Sequence, residues 1–200
     1  MDLFTKEQKI TLYFQKNNNM VEMTCVVEKI YDDRLDLILP QYFMRYIDSL
    51  QVGKKVTAKA FSKLGTIDFN TIIISSPLED KFTIELDVNS LKLTTGESLP
   101  VIKAVEHMEY VKSDGNIVLK TFEISTEYIK FYYDKKINVD TEMDCLLKLP
   151  NDYGTINFKA MVTEIDPIYD NEYTATYVTM TETARQMLLY YMYMYTKDTD

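Results

Sequence analysis

One short motif occurs twice in this chain, and the two copies are 89 positions apart. Gly-Thr-Ile-Asp-Phe stands at residues 65–69, and Gly-Thr-Ile-Asn-Phe stands at residues 154–158. Before each copy come two strand-like runs, and after it come a strand, a polar break and another strand. A strand pattern that repeats at the spacing of a small domain predicts two similar β domains in tandem. The runs before the copies are residues 35–39 and 55–60 in the first half and 128–132 and 143–147 in the second.

The composition agrees with a globular β protein and argues against two classes of partner. Hydrophobic residues make up 46% of the chain, and the 16 Tyr and nine Phe favour strands. The net charge of −9 argues against nucleic acid, because phosphate backbones are bound by clustered Lys and Arg. It argues equally against an anionic membrane surface.

Several features predict a cytoplasmic protein. No apolar run approaches the ~18 residues that a membrane span needs. Residues 1–5 lack the basic and apolar regions of a signal peptide. Cys25 and Cys145 each lie within an apolar strand, which is typical of buried, reduced thiols.

Turn signals divide the chain into a first domain at residues 1–93 and a second at 99–200. The first opens with a hairpin over residues 9–30, turning at Asn17–Asn19, and Pro40 starts a short helical stretch. The small polar residues 94–98, followed by Pro100, are typical of a linker. Ser113–Gly115 predicts a tight turn in the second domain. We expect strands there at residues 99–110, 116–124, 127–133, 142–149, 154–165 and 171–180.

The hydrophobic period changes from that of a strand to that of a helix near residue 180. Thr179–Glu182 has the form of a capping box, in which a Thr hydroxyl and a Glu carboxylate satisfy free amides at a helix start. The following residues are apolar on more than one face, so the helix could dock on its own barrel, contact a partner, or do both. Tyrosine is common at interfaces because its body is apolar and its tip polar. The candidate contact residues are Met187, Tyr190, Tyr191 and Met194.

The residues that enzymes use are scarce, so we expect no catalytic activity and no metal. His107 is the single histidine, neither cysteine has an evident base, and the five glycines are too scattered for a phosphate-binding loop. Asp166, Asp170 and Glu172 do not have the spacing of an EF-hand, and acidic residues around a hairpin turn are usually solvated.

The order of strands and three short motifs give the chain a family resemblance. Leu37–Pro40 and Leu147–Pro150 are apolar segments that end in proline. In Phe122–Phe131, Ser125 matches an Asp-x-Ser-x-x-Gly motif, whereas Glu123 replaces the Asp and Tyr128 the Gly. With the tandem repeat and the terminal helix, these features resemble two-domain PilZ proteins, the flagellar-brake type of bacterial cyclic di-GMP receptor.

The resemblance implies a mainly β fold. It would consist of two tandem small antiparallel β barrels of split-barrel type, a PilZ-associated one and a PilZ one, with a C-terminal α-helix. Another pair of small barrels, of OB or SH3 type, is the alternative fold. The implied setting is cytoplasmic regulation of bacterial motility, of flagellar or pilus machinery, or of surface signalling.

The family's other ligand motif, Arg-x-x-x-Arg at the linker, is missing from this chain. The three arginines are Arg34, Arg45 and Arg185, and Lys92 and Lys103 are too far apart to imitate the motif. Guanidinium groups grip phosphates and guanine edges bidentately, which a lysine ammonium cannot do. Losing two charge-assisted contacts of ~1.5–3 kcal/mol each weakens binding by about two to four powers of ten.

Three functional hypotheses follow. The first is a degenerate PilZ-type regulator, not an enzyme, that no longer binds cyclic di-GMP and acts through protein contacts. The second is a receptor for cyclic di-GMP or a related nucleotide with a divergent site. The third is an assembly protein that oligomerises through its C-terminal helix. The positions matching the family's nucleotide site are Lys103, Glu123, Ser125 and Tyr128.

Overall fold

The computed structural model describes residues 3–62, 65–77, 82–94, 101–151 and 153–198. Contacts divide the chain into two compact units, Met1–Gly96 and Glu97–Asp200. The predicted linker lies mostly outside the described residues, so the domain limits at 93 and 99 stay a prediction.

The first unit is a closed antiparallel barrel of six strands. Around the barrel the order is β1-β2-β3-β6-β5-β4, and β4 pairs with β1 to close it, while β7 adds to β5. A 3₁₀ helix, Gln41–Ser49, follows Pro40 between β3 and β4. The strands are β1 Lys9–Lys16, β2 Asn19–Ile30, β3 Arg34–Ile38, β4 Lys55–Ser62, β5 Gly65–Ser75, β6 Thr83–Asp87 and β7 Lys92–Thr94.

Local sequence explains how this barrel begins. Asn17 and Asn18 have φ angles of 49° and 64°, which asparagine tolerates and which a two-residue hairpin loop requires. Alternate residues of β1 and β2 then point inward, and Ile10, Leu12 and Met23 are fully buried. The predicted hairpin is confirmed.

The second unit is also a closed barrel of six strands, and it ends in a helix. Around this barrel the order is β9-β10-β11-β14-β13-β12, and β12 pairs with β9 to close it, while β8 adds to β10. The elements are β8 Val101–Ile102, β9 His107–Val111, β10 Ile117–Ser125, β11 Tyr128–Tyr132, β12 Glu142–Lys148, β13 Thr155–Ile165, β14 Glu172–Met180 and α1 Glu182–Asp198.

The two barrels have the same topology, which confirms the predicted fold class. Strands β1 to β6 correspond in order to β9 to β14, and the two copies of the repeated motif begin β5 and β13. Irregularities also coincide, since β2–β3 shifts register between Val27 and Lys29 and β10–β11 between Thr121 and Glu123. The repeated motif therefore marks equivalent hairpins in two copies of one fold.

The prediction of one strand over residues 99–110 is wrong. Residues 103–106 separate β8 from β9. Two backbone groups of this segment form hydrogen bonds with the hydroxyl of Thr121. Its Oγ1 accepts from the Glu106 amide at 2.8 Å and donates to the Ala104 carbonyl at 2.8 Å. These bonds to a side chain replace part of a regular ladder.

The predicted capping box at Thr179–Glu182 is also wrong. Thr179 still belongs to β14, and the cap is Thr181, whose hydroxyl accepts from the amide of Ala184 at 3.2 Å. The position three residues beyond the cap is therefore Ala184, not a glutamate. Glu182 lies in the first turn, where its negative charge interacts favourably with the positive end of the helix dipole.

Helix α1 covers the core of the second barrel. Leu188, Tyr191 and Met192 are buried within that core, and Met187 packs against it. Leu189 and Met194 are buried as well, so the helix is apolar on more than one face, as predicted. Within the described residues, no helix is long and apolar enough to cross a membrane.

Candidate functional site

The turn between β10 and β11 carries the predicted serine, and its hydroxyl holds the turn together. Ser125 Oγ accepts from the amides of Glu127 at 3.0 Å and Tyr128 at 2.9 Å. The same hydroxyl donates to the carbonyl of Tyr128 at 3.1 Å. Ser125 is buried, and its hydrogen-bonding capacity is used within the turn.

The predicted glutamate and tyrosine lie beside the turn and bind each other. The Tyr128 hydroxyl donates to Glu123 Oε1 at 2.9 Å, and the Lys130 ammonium lies 3.3 Å from the same oxygen. Burial and the hydrogen bond to Glu123 raise the pKa of Tyr128. Burial alone would lower the pKa of Lys130, but the hydrogen bond and charge of Glu123 outweigh it and raise that pKa. The carboxylate of Glu123 thus serves two partners in the barrel wall.

The corresponding position of the first barrel also carries paired charges. Glu123 is in register with Lys130, and the corresponding pair on β2 and β3 is Lys29 and Asp36. Asp36 lies 3.5 Å from the guanidinium of Arg34. Because both barrels place opposite charges here, the pairing of Glu123 with Lys130 serves the structure of the barrel.

Lys103, the fourth predicted position, follows β8 and has an exposed side chain. Ile102 pairs with Ile124, so the backbone of Lys103 runs beside β10. Its carbonyl accepts from the Tyr195 hydroxyl at 2.5 Å, and the Tyr191 hydroxyl donates to Glu106 Oε1 at 2.5 Å. In the part of the chain that is described, the ammonium of Lys103 has no ion pair. The structure therefore brings together Glu123, Ser125 and Tyr128, but gives Lys103 no contact with them through its side chain.

Two residues of this site were not predicted from the sequence. Lys130 belongs to it because Tyr128 and Lys130 are two positions apart on one strand and share a face. The hydroxyl of Thr126 is buried and has no hydrogen-bond partner among the described residues. Nothing in the sequence distinguishes this threonine from the satisfied Ser125 beside it.

The four candidate contact residues of α1 differ in exposure. Tyr191 and Met194 are buried, whereas Met187 and Tyr190 are partly exposed. The Tyr190 ring lies 5.6 Å from that of Tyr153. Met187 and Tyr190 are thus the members of this set that an incoming protein could reach without moving the helix.

The two cysteines are buried, and Asp166 is hydrogen-bonded within its own loop. Cys25 and Cys145 are free and buried, and burial raises the pKa of each thiol to about 12. Such thiols are poor nucleophiles, because the reactive form is the thiolate. Asp166 Oδ1 accepts from the amides of Ile168 at 2.8 Å and Tyr169 at 2.9 Å, which lowers its pKa and orders the hairpin loop.

A shallow groove of about 430 Å³ lies on the second unit. Asp144 and Lys159, which form an ion pair at 3.4 Å, are among its lining residues. None of the predicted site positions lines it.

The chain is similar to solved structures of PilZ-domain proteins built from two barrels. The Bacillus subtilis inhibitor of motility MotI/DgrA is 16% identical with a TM-score of 0.45, over 98% of this chain and 99% of that one. Escherichia coli YcgR in complex with c-di-GMP is 13% identical with a TM-score of 0.44, over 94% and 84%. The K. pneumonia MrkH–c-di-GMP complex is 13% identical with a TM-score of 0.37, over 91% and 84%. These proteins are of the class that the sequence resembles.

The strand pairing within the chain itself defines the fold described above. No protein-family model matches the sequence, and no curated protein matches it.

Proposed function

We propose that this chain is a cytoplasmic, non-enzymatic regulator of PilZ type that has lost cyclic di-GMP binding and acts through contacts with another protein. The implied setting is motility or surface signalling. One observation carries the proposal most directly, namely that Glu123, Ser125 and Tyr128 already use their polar side-chain groups in hydrogen bonds within the turn and the barrel wall.

The side chains at that site would have to give up existing bonds to hold a ligand. Ser125 already uses its hydroxyl three times, and Glu123 is shared by Tyr128 and Lys130. Breaking such bonds leaves buried groups unsatisfied, which costs ~1–3 kcal/mol each. No arginine occurs between residues 46 and 184, so this stretch offers no guanidinium whose bonds to a phosphate would offset that cost. The balance is therefore against an anionic dinucleotide.

The distribution of charge points in the same direction. Residues 1–96 hold 13 acidic and 12 basic side chains, whereas residues 97–200 hold 18 and 10, a net charge of −8 for the second unit. A surface of this sign repels a phosphate diester and attracts a cationic partner. This asymmetry supports a protein partner rather than a nucleotide.

Calorimetric titration of the full chain with cyclic di-GMP tests the proposal. We expect no binding heat at concentrations up to several hundred micromolar. Dissociation in the micromolar range or tighter would overturn the proposal and favour a divergent nucleotide receptor. In that case Lys103→Ala should weaken binding without unfolding the barrel, because the side chain of Lys103 is exposed. Ser125→Ala is less informative, because it also removes the bonds that hold the turn.

Sedimentation tests the third hypothesis, assembly through α1. Truncation after Thr181 would uncover the core around Leu188 and Tyr191, so loss of assembly in that variant would be ambiguous. Met187→Ala and Tyr190→Ala change the partly exposed positions instead. A concentration-independent monomer argues for the regulator, and a dimer that these variants dissociate argues for assembly.

A further inference from the structure

The hairpin between β13 and β14 presents two large apolar side chains to solvent on an ordered loop. Ile168 is 80% exposed and Tyr169 58% exposed. The loop is held by the two bonds to Asp166 and by the Glu172 amide, which donates to the Tyr169 carbonyl at 3.0 Å. An ordered loop loses little conformational entropy when it binds.

Two more aromatic residues extend this apolar surface. Tyr132 is 41% exposed, and its ring lies 4.5 Å from that of Phe122. Tyr132 is in register with Glu172 at the start of β14, and the amide of the next residue, Tyr133, donates to the carbonyl of Asn171 in the hairpin loop at 3.0 Å. The hairpin patch, defined as Phe122, Tyr132, Ile168 and Tyr169, therefore lies on β10, on β11 and on the hairpin loop that pairs with the end of β11. Single exposed apolar residues are ordinary, but a cluster on one surface is typical of an interaction site.

The rim of the hairpin patch is acidic. Residues 160–184 contain five acidic side chains and no Lys, Arg or His. Asp166, Asp170 and Glu172 lie in or beside the hairpin loop. The nearest basic residue on β11, Lys130, is paired with Glu123, and exposed Lys135 and Lys136 follow in the next loop.

We propose that the hairpin patch is the docking surface for a basic segment of another protein, one that carries Lys or Arg beside at least one apolar side chain. Tyrosine faces attract such cations, the carboxylates pair with them, and Ile168 offers an apolar contact. The acidic rim repels anionic lipid and nucleic acid. The inference rests on the proposed regulator function. It specifies where the partner protein binds and which side chains the partner carries there.

A titration monitored by amide chemical shifts tests this inference. The probe is a synthetic amphipathic peptide of leucine and lysine, added to the full ¹⁵N-labelled chain, and the matched probe has glutamate in place of every lysine. We expect the lysine peptide to shift residues 166–172 and Tyr132, and binding to weaken at least tenfold when salt rises from 50 to 500 mM.

Substitutions locate the site. Ile168→Ser with Tyr169→Ser should weaken binding of the lysine peptide at least tenfold, and both positions are exposed enough to keep the barrel folded. Val118→Ser is the matched control, because Val118 is 53% exposed and lies outside the hairpin patch. It should leave binding unchanged.

Several results would overturn the inference. They are equal binding of the glutamate peptide, no binding of either peptide, shifts confined to α1, or a self-associated chain that Ile168→Ser dissociates. Shifts on α1 would still agree with a regulator that acts through protein contacts. Tight binding of cyclic di-GMP would instead defeat the proposed function, so the two failures can be told apart.

Discussion

Two buried threonines on or next to β10 should respond in opposite ways to the same substitution. The Thr121 hydroxyl holds Glu106 and Ala104, whereas the Thr126 hydroxyl has no partner among the described residues. Valine has nearly the shape of threonine, so Thr→Val replaces the hydroxyl by a methyl group with little change of volume. We expect Thr121→Val to lower the free energy of unfolding by ~2 kcal/mol, because it leaves a buried amide and a carbonyl unsatisfied.

Thr126→Val is the control for that substitution. It removes an unsatisfied buried hydroxyl, and we expect it to raise the free energy of unfolding by up to ~1 kcal/mol. Urea denaturation followed by circular dichroism measures both changes. A loss of stability in Thr126→Val would mean that its hydroxyl has a partner such as an ordered water.

The sequence identified the residue types at the candidate site but not their partners. The family resemblance places Ser125 at a ligand site, whereas in the structure its hydroxyl closes its own turn. Tyr128 stands where the family motif has a glycine. It is the first residue of β11, where an extended backbone suits tyrosine, and it adds a hydroxyl to Glu123. The partners of Ser125 and Glu123 are two to seven residues away along the chain. Which residues face each other across β10 and β11 depends on the register shift between Thr121 and Glu123, and no sequence pattern predicts that shift.

The glycine of the second copy of the repeated motif lies against a side chain of α1. Gly154 has a φ of +95°, and a Cβ built on it would lie 2.9 Å from Cε of Met187. We expect Gly154→Ala to cost more stability than Gly53→Ala, which has a φ of +83° and open space around it. The backbone alone accounts for ~1–2 kcal/mol at either site.

A double-mutant cycle separates the two contributions at Gly154. In a Met187→Ala background, Gly154→Ala should cost about as much as Gly53→Ala, because the side chain that crowds the new methyl group is gone. Thermal unfolding of the four variants measures the coupling. An additive cycle would mean that the methionine moves aside freely and that the helix does not depend on this glycine.

Element types were easier to predict than element ends. Alternation of apolar residues located the strands, because that pattern follows directly from burial of one face. The ends depend on single hydrogen bonds, so the cap fell at Thr181 rather than Thr179. The barrels also share a turn whose left-handed residue is Gly53 in one and Asp140 in the other. Both donate to the strand that carries the repeat, at Ile73 and Val162, and this equivalence cannot be seen in the sequence.

The duplication of the whole fold was predictable from very little sequence. Inside a barrel the requirement at each position is an apolar side chain of suitable size, so many sequences satisfy one topology. Four of the five residues of the repeated motif are identical in the two copies, which stand at the start of β5 and β13, and Ile67, Phe69, Ile156 and Phe158 are all buried. The surface is free of that requirement, which is why the charge of the two units differs so much. Function is therefore best sought on the surfaces where the two barrels differ.

Because each barrel closes through its own strands, each unit should fold without the other. We expect fragments 1–96 and 97–200 to give strand-rich circular dichroism spectra and cooperative thermal unfolding, since a domain of ~100 residues buries enough surface to be stable. A fragment of residues 141–200 is the control. It keeps the β12–β13–β14 hairpins and α1 but lacks β9, β10 and β11, so the barrel cannot close, and it should be unfolded. If 97–200 were also unfolded, the two barrels would be one cooperative structure, and the proposed domain limits at 93 and 99 would be wrong.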